Sequence, residues 1–155
     1  MKQTLKMNGV DVTVEINPPK LYGKIFTDWV EEKYRGVLPK LTIEKVSDRI
    51  MDGGYRGKPK RYECWELFWR YENSLSFGNT KTIRMESIYN HDGSIKYISF
   101  SDGLYNRGSK SHIKTEKGLK ISVRNIKKKF LDNPRYRGNP SFYSDEEMWS
   151  SEYND

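Results

Sequence analysis

The residues most able to do chemistry lie in the segment from Lys81 to Lys96. Glu86 is its central carboxylate, with no other acidic residue between Glu72 and Asp92. A carboxylate within an apolar strand costs desolvation free energy unless it pairs with a cation, holds a metal ion or takes part in a reaction. Phosphodiester hydrolysis uses such a carboxylate to activate water or hold a divalent ion, with cations to neutralise the developing charge.

Neighbours of Glu86 in the sequence could supply the remaining groups of this reaction. The predicted catalytic residues are Glu86, His91, Asp92 and Lys96. Glu86 is also the candidate ligand for Mg²⁺ or another divalent cation, and no motif points to an organic cofactor. The alternative is an ion pair on a solvent-facing strand, between Arg84 and Glu86 or between a lysine and Glu86, without a catalytic role. The motifs of P-loop, dinucleotide-binding, zinc-protease and serine-hydrolase proteins do not occur in the sequence.

The strand Arg84–Ser87 also carries a family resemblance. With its length, its basic character and its content of Tyr, Ile and Lys, the chain resembles the small DNA nuclease of filamentous viruses of hot-acid archaea. The resemblance implies an α+β fold remotely like that of nucleotidyltransferases and activity on linear double-stranded DNA through an essential glutamate, here Glu86. The Gly-Ser…Asp-x-Asp pattern of nucleotidyltransferases is not found in the sequence.

The charge distribution favours a polyanionic partner. The chain has a net charge of +7, but residues 144–155 hold five acids and no base, so residues 1–143 carry 28 bases against 16 acids, a net +12. Such a field concentrates nucleic acids near the surface and releases their counterions on contact. We therefore predict a DNA partner, with double-stranded DNA favoured. The predicted nucleic-acid contacts are Arg84, Arg107, Lys110, Arg124, Lys127 and Lys128, with Arg56, Lys58, Lys60 and Arg61 of a basic loop.

Two other functions fit the same features. One is a non-catalytic viral or regulatory protein that binds DNA or RNA and in which Glu86 is structural. The other is a protein–protein inhibitor of a host factor that uses exposed aromatic residues and the acidic tail.

Composition and length predict a single folded domain. The chain has 155 residues, of which 14% are aromatic, more than a disordered chain would have. Its one cysteine, Cys64, excludes an internal disulfide, and no apolar run has the length of a signal peptide or membrane span. We expect a cytoplasmic protein that is not secreted, without a membrane partner. It would comprise a basic domain at 1–143 and an acidic tail at 144–155, with a short helix docked by Trp149.

Apolar periodicity and turn residues predict an α+β fold: an antiparallel or mixed sheet built from hairpins, with helices packed against it. Strands are predicted at 3–7, 10–16, 80–90 and 94–101, and helices at 22–34, 42–52 and 123–131. The segment 62–77 is densely apolar and fits a buried helix or a central strand, with the helix favoured and a turn following at Gly78–Asn79. A hairpin is predicted between 112–115 and 119–122, and a helix-turn-helix across 42–67 is a minor alternative.

A two-residue turn at Asp92–Gly93 would set the register of the central hairpin. In that register Glu86 faces Ser99, and Tyr89 faces Lys96.

Overall fold

The computed structural model describes residues 1–54, 57–73, 76–102 and 112–137. Within these residues, six strands and two helices form one α+β domain, which confirms the predicted fold class. The elements are β1 (Lys2–Met7), β2 (Val10–Glu15), α1 (Tyr22–Tyr34), β3 (Thr42–Met51), β4 (Lys60–Asn73), β5 (Ser76–Tyr89), β6 (Ile95–Asp102) and α2 (Glu116–Ile126). A π-helical turn at Lys127–Leu131 continues α2, and a 3₁₀ turn follows at Pro134–Tyr136.

The strands form two antiparallel sheets. β1 pairs with β2, and β3, β4, β5 and β6 lie side by side in chain order. The β1–β2 hairpin turns at Asn8 and Gly9, whose φ angles are 52° and 78°, as a tight hairpin turn requires. These strands, α1 and the β5–β6 hairpin confirm the corresponding predictions.

Both helices pack on the same face of the four-stranded sheet. Because side chains alternate along a strand, Ile83 and Met85 of β5 point toward the helices, and Arg84 and Glu86 point to the opposite side. We call that opposite side the far face. The core between helices and sheet is formed by residues from all three parts of the domain. They are Phe26, Val30 and Tyr34 of α1, Leu67, Trp69, Ile83, Met85 and Ile98 of the sheet, Ile126 of α2 and Leu131 of the π-helical turn.

Two predicted helices are strands. The segment 42–52 forms β3 and most of 62–77 forms β4, so a helix-turn-helix across 42–67 is excluded. β4 is a central strand with buried residues on both faces, Cys64 on the far face and Leu67 toward the helices. Its apolar residues therefore follow neither period cleanly. The predicted turn at Gly78–Asn79 is wrong, since both residues lie within β5.

The hairpin predicted between 112–115 and 119–122 is also wrong. Ile113 makes an isolated bridge to Ile98, and α2 begins three residues later. The Thr115 side chain caps α2 by accepting a hydrogen bond from the Gly118 N–H at 3.0 Å. The helix predicted at 123–131 is thus the second half of a longer one. The tail at 144–155, including Trp149, lies outside the described residues.

Glu63 ties the sheet to the start of α1. Its side chain is buried, and its two carboxylate oxygens accept four hydrogen bonds. The donors are the backbone N–H groups of Gly23 and Lys24 at 3.1 Å, the Trp65 indole at 2.9 Å and the Tyr89 hydroxyl at 2.7 Å. A carboxylate at a helix N-terminus satisfies unpaired N–H groups and interacts favourably with the helix dipole. Glu63 therefore positions α1 on the sheet.

Asp132 holds the end of the π-helical turn against α1. It accepts a hydrogen bond from the Tyr34 hydroxyl at 2.9 Å and pairs with Lys127 at 2.6 Å and Arg137 at 2.8 Å. Burial acts to raise the pKa of Asp132, but the hydrogen bonds from Lys127 and Tyr34 and the nearby cations hold it below its usual value.

We expect Asp132→Asn to lower the free energy of unfolding by about 1–2 kcal/mol at neutral pH, because it removes the charge that three donors share. Since the folded pKa is lowered, this contribution is present above the unfolded pKa and is lost as the pH falls below about 4. Thermal unfolding from pH 3 to 7 measures the difference, with the exposed Asp28→Asn as control. A Tm difference that does not change across this range would contradict the assignment.

Candidate functional site on the far face of the sheet

On the far face, the carboxylates of Glu66 and Glu86 both lie near the guanidinium of Arg84. Glu66 on β4 lies opposite Arg84 on β5, and Glu86 is two residues further along β5. The Arg84 guanidinium is 3.5 Å from Glu66 Oε1 through Nη1 and 3.3 Å from Glu86 Oε1 through Nε. Tyr62 Oη accepts a long hydrogen bond from Arg84 Nη2, also at 3.5 Å. We call these four residues the Glu86 cluster.

The acidic members of the cluster are largely withdrawn from solvent. The exposed side-chain fractions are 15% for Glu86, 16% for Glu66 and 31% for Arg84. Charge interactions are stronger at such partly desolvated positions than between fully exposed groups. Two carboxylates and one guanidinium leave the cluster with a formal charge of −1.

The protonation states of the neighbouring groups follow from burial and hydrogen bonding. The hydrogen bond with Tyr62 is the largest cause that raises the pKa of Arg84, which stays cationic. Burial raises the pKa of the Tyr62 hydroxyl and of the Cys64 thiol. At neutral pH Arg84 is therefore a permanent cation and Tyr62 a protonated phenol.

The register of the β5–β6 hairpin confirms one pairing and corrects the other. Glu86 faces Ser99, as predicted. Tyr89 faces Ile95 instead of Lys96, because the register shifts between Ile88 and Tyr89. Lys96 is the extra residue of this bulge, and its side chain is exposed.

His91 and Asp92 do not join the cluster. Both lie in the turn after β5, and a strand rise of about 3.3 Å per residue puts His91 roughly 16 Å along the chain from Glu86. The Asp92 carboxylate instead accepts hydrogen bonds from the Ser94 hydroxyl at 2.6 Å and the Ser94 N–H at 2.9 Å, which lower the pKa of Asp92. Asp92 thus stabilises the turn.

Of the predicted catalytic residues and DNA contacts, the structure therefore brings together Glu86 and Arg84. Sequence reasoning missed Glu66 and Tyr62. The signal that could have found them is the β4–β5 register, which pairs Glu66 with Arg84 and Cys64 with Glu86. That signal is hidden when 62–77 is taken as a helix.

The cluster fits a divalent cation only in part. Glu66 and Glu86 supply two carboxylates, but Arg84 lies within 3.5 Å of both and would have to share or give up its contacts. Within the described ranges no three His, Cys, Asp or Glu side chains form a group that could hold a metal ion. Mg²⁺ commonly uses one or two carboxylates together with water and substrate phosphate, so such a site would depend on bound DNA.

The predicted DNA contacts are distributed over several surfaces. Arg124, Lys127 and Lys128 are exposed on α2 and its π-helical turn, on the other side of the sheet from Glu86. Lys58 and Lys60 flank the start of β4, where the Lys60 ammonium donates to the Lys58 carbonyl at 3.2 Å. Three of the predicted contacts, Arg56, Arg107 and Lys110, lie outside the described residues.

Arg61 is placed where it has little access to a ligand. Its guanidinium is buried, donates to both Asp48 oxygens at 2.8 and 2.9 Å, and donates to the Ile16 carbonyl at 3.2 Å. The Asp48 hydrogen bond is the largest cause that raises the pKa of Arg61. Arg61 of β4 and Asp48 of β3 thus form a buried ion pair that joins the two strands.

Comparisons of the chain with protein-family models, curated proteins and solved structures find no match. Among the described residues, no helix combines the length and the apolar character needed to cross a bilayer. Function is therefore inferred from the Glu86 cluster, the charge of the chain and the surface of α2.

Proposed function

We propose that the protein is a nuclease that hydrolyses phosphodiester bonds of linear double-stranded DNA, with Glu86 as its essential carboxylate. The observation that carries this proposal is the Glu86 cluster, in which a largely desolvated carboxylate contacts a permanent cation. A partly buried carboxylate beside a fixed cation occurs at sites of chemistry and also in structural ion pairs. The competing interpretation is a structural ion pair, which the experiments below distinguish.

The cluster can supply the two kinds of assistance that hydrolysis needs. Glu86 accepts a proton from the attacking water as the water oxygen forms its bond to phosphorus. Arg84 neutralises charge that develops on the non-bridging phosphate oxygens. The bond from phosphorus to the leaving oxygen then breaks, and that oxygen takes a proton from solvent. Glu66 keeps Arg84 in position at 3.5 Å.

Divalent-cation dependence is part of the proposal. Glu86, with Glu66, would hold Mg²⁺ together with a phosphate oxygen of the DNA. The cation would supply further charge neutralisation at the phosphate.

The test is to incubate purified protein with end-labelled linear duplex DNA and with covalently closed circular DNA, each with Mg²⁺ and with EDTA. We expect the linear duplex to be degraded in Mg²⁺ and protected in EDTA. If the protein leaves linear duplex DNA intact in Mg²⁺, Mn²⁺ and EDTA alike, the nuclease proposal is wrong.

We expect Arg84→Lys to lower the hydrolysis rate by roughly tenfold. A lysine keeps the charge, but its ammonium cannot present the planar set of donors that a guanidinium offers to carboxylate and phosphate. Arg49→Lys is the matched control, because Arg49 lies on the same face of the sheet, with its guanidinium 5.7 Å from the Tyr62 ring centre. If Arg84→Lys and Arg49→Lys lowered the hydrolysis rate by the same factor, the role assigned to Arg84 would be contradicted.

A second candidate function is DNA binding without hydrolysis. The observation that favours it is the exposed basic surface of α2, which lies away from Glu86. In that case Arg84 and Glu86 form a structural ion pair, and the protein binds DNA with a steep salt dependence but leaves it uncut.

A further inference from the structure

Helix α2 packs on the core along one side only. Of its eleven residues, Ile126 alone is fully buried, and Leu119 and Val123 are half-buried contacts to the core. A helix that is held along one narrow stripe leaves most of its circumference accessible to a partner.

The accessible side of α2 is cationic. Lys117, Lys120 and Arg124 follow each other at spacings of three and four residues, which places them on one face. All three are exposed, and none forms a salt bridge with a residue in the described part of the chain. Lys128 continues the same face into the π-helical turn. Such a row can contact successive phosphates of a nucleic acid backbone.

An apolar residue lies beside this charged row. Ile121 is 44% exposed and falls between Lys117 and Arg124 along the helix. Asn125 is exposed one turn further on. A helix that reads DNA uses apolar and amide side chains against base edges between flanking phosphate contacts, and Ile121 and Asn125 have these two kinds of side chain.

We propose that α2 is a separate DNA-binding element that enters the major groove of a duplex, with Ile121 and Asn125 toward the bases and the cations on the backbone. An α-helix with its side chains is about 10–12 Å across, and the major groove of B-DNA is about 12 Å wide. This inference rests on the proposed DNA binding through α2 and deepens it by naming the major groove as the place of contact; it uses none of the residues of the Glu86 cluster.

The position of α2 gives this element a distinct task. α2 packs on one face of the sheet, and the Glu86 cluster is on the far face. Since packed layers are about 10 Å apart, the DNA segment in contact with α2 is not the segment at Glu86. α2 therefore anchors the protein on duplex DNA through a surface separate from the Glu86 cluster.

The test measures binding in the full-length Glu86→Gln protein, so that cleavage cannot interfere. Fluorescence anisotropy with a 20-base-pair duplex, at 50 to 200 mM salt, compares Lys117→Gln/Lys120→Gln/Arg124→Gln with Lys2→Gln/Lys6→Gln/Lys40→Gln, which removes the same charge elsewhere. We expect the α2 variant to bind about tenfold or more weakly at 100 mM salt, with the slope of log K against log salt reduced by about 3. The control variant should stay within about twofold. Equal weakening by both variants would overturn the inference.

Two further measurements distinguish entry of α2 into the major groove from contact with phosphates alone. Ile121→Ala should weaken duplex binding severalfold and leave the salt slope unchanged, because it removes an apolar contact and no phosphate contact. Single-stranded DNA of the same length should bind more weakly than the duplex. If single-stranded DNA bound as tightly as the duplex, the inference of groove entry would be overturned. It would also be overturned if the protein bound phosphatidylserine vesicles in preference to DNA.

The outcomes distinguish this inference from the proposed nuclease activity. If wild type leaves DNA intact but the α2 variant still loses duplex binding, α2 is confirmed as a DNA-binding element and hydrolysis is not. If wild type cuts DNA and the α2 variant binds as tightly as the control, the inference about α2 is wrong while the nuclease proposal is retained.

Discussion

Replacing Glu63 with alanine is expected to lower the free energy of unfolding by about 3–5 kcal/mol, the largest stability loss expected for any charged residue of the described chain. Glu63 is 1% exposed and accepts four hydrogen bonds. Its loss leaves two backbone N–H groups of α1 and two side-chain donors without their acceptor inside the protein. A domain of this size has a total stability of about 5–15 kcal/mol, so the variant should be close to unfolded at 37 °C.

A conservative substitution of Glu63 tests the same capping role with little change in the shape of the side chain. Glu63→Gln keeps the shape of the side chain but turns one acceptor into a donor that faces other donors. We expect about half or more of the alanine effect in urea unfolding. Glu44→Gln is the matched control, because Glu44 is exposed on the neighbouring strand β3. Equal unfolding midpoints for the Glu63 and Glu44 variants would contradict the capping role.

Replacing Glu86 with glutamine is expected to lower the rate of DNA hydrolysis by about 100-fold or more. The amide is nearly the same size but cannot accept a proton from water or hold a divalent cation as a carboxylate does. Because Glu66 still pairs with Arg84, we expect the thermal midpoint to fall by only a few degrees.

Glu44→Gln serves again as control, since it removes one carboxylate from the same face of the sheet, opposite Glu66. The comparison is made under single-turnover conditions with excess protein. Glu44→Gln should cut at close to the wild-type rate. Cleavage by Glu86→Gln at that same rate would show that another group is the base.

Elements with local signals were predictable from the sequence. Asn8–Gly9 and Asp92–Gly93 each close a hairpin between alternating strands, and the apolar spacing of 22–34 gives α1 its buried stripe. The pairing of Glu86 with Ser99 follows from such a turn. The predicted pairing of Tyr89 with Lys96 is wrong, because Lys96 is the extra residue of a bulge that shifts the register.

The errors have physical causes in tertiary structure. In β3 a register shift between Lys45 and Ser47 inserts Val46, so the spacing from Ile43 to Ile50 imitates a helical period. β4 lies in the middle of the sheet and is buried on both faces, so its pattern carries no period of two. The buried role of Glu63 lies inside that segment and depends on α1, which is about 40 residues distant in sequence.

We propose that one face of the protein cuts DNA and another holds it. The most direct test is to measure the single-turnover rate at saturating protein and the Kd for duplex DNA in two variants, Glu86→Gln and Lys117→Gln/Lys120→Gln/Arg124→Gln. The account predicts that the first lowers the rate about 100-fold with Kd within about threefold of wild type, and that the second raises Kd about tenfold with the saturated rate preserved. If both variants changed the same parameter, or if neither changed the rate, the assignment of cutting and holding to separate faces would be contradicted.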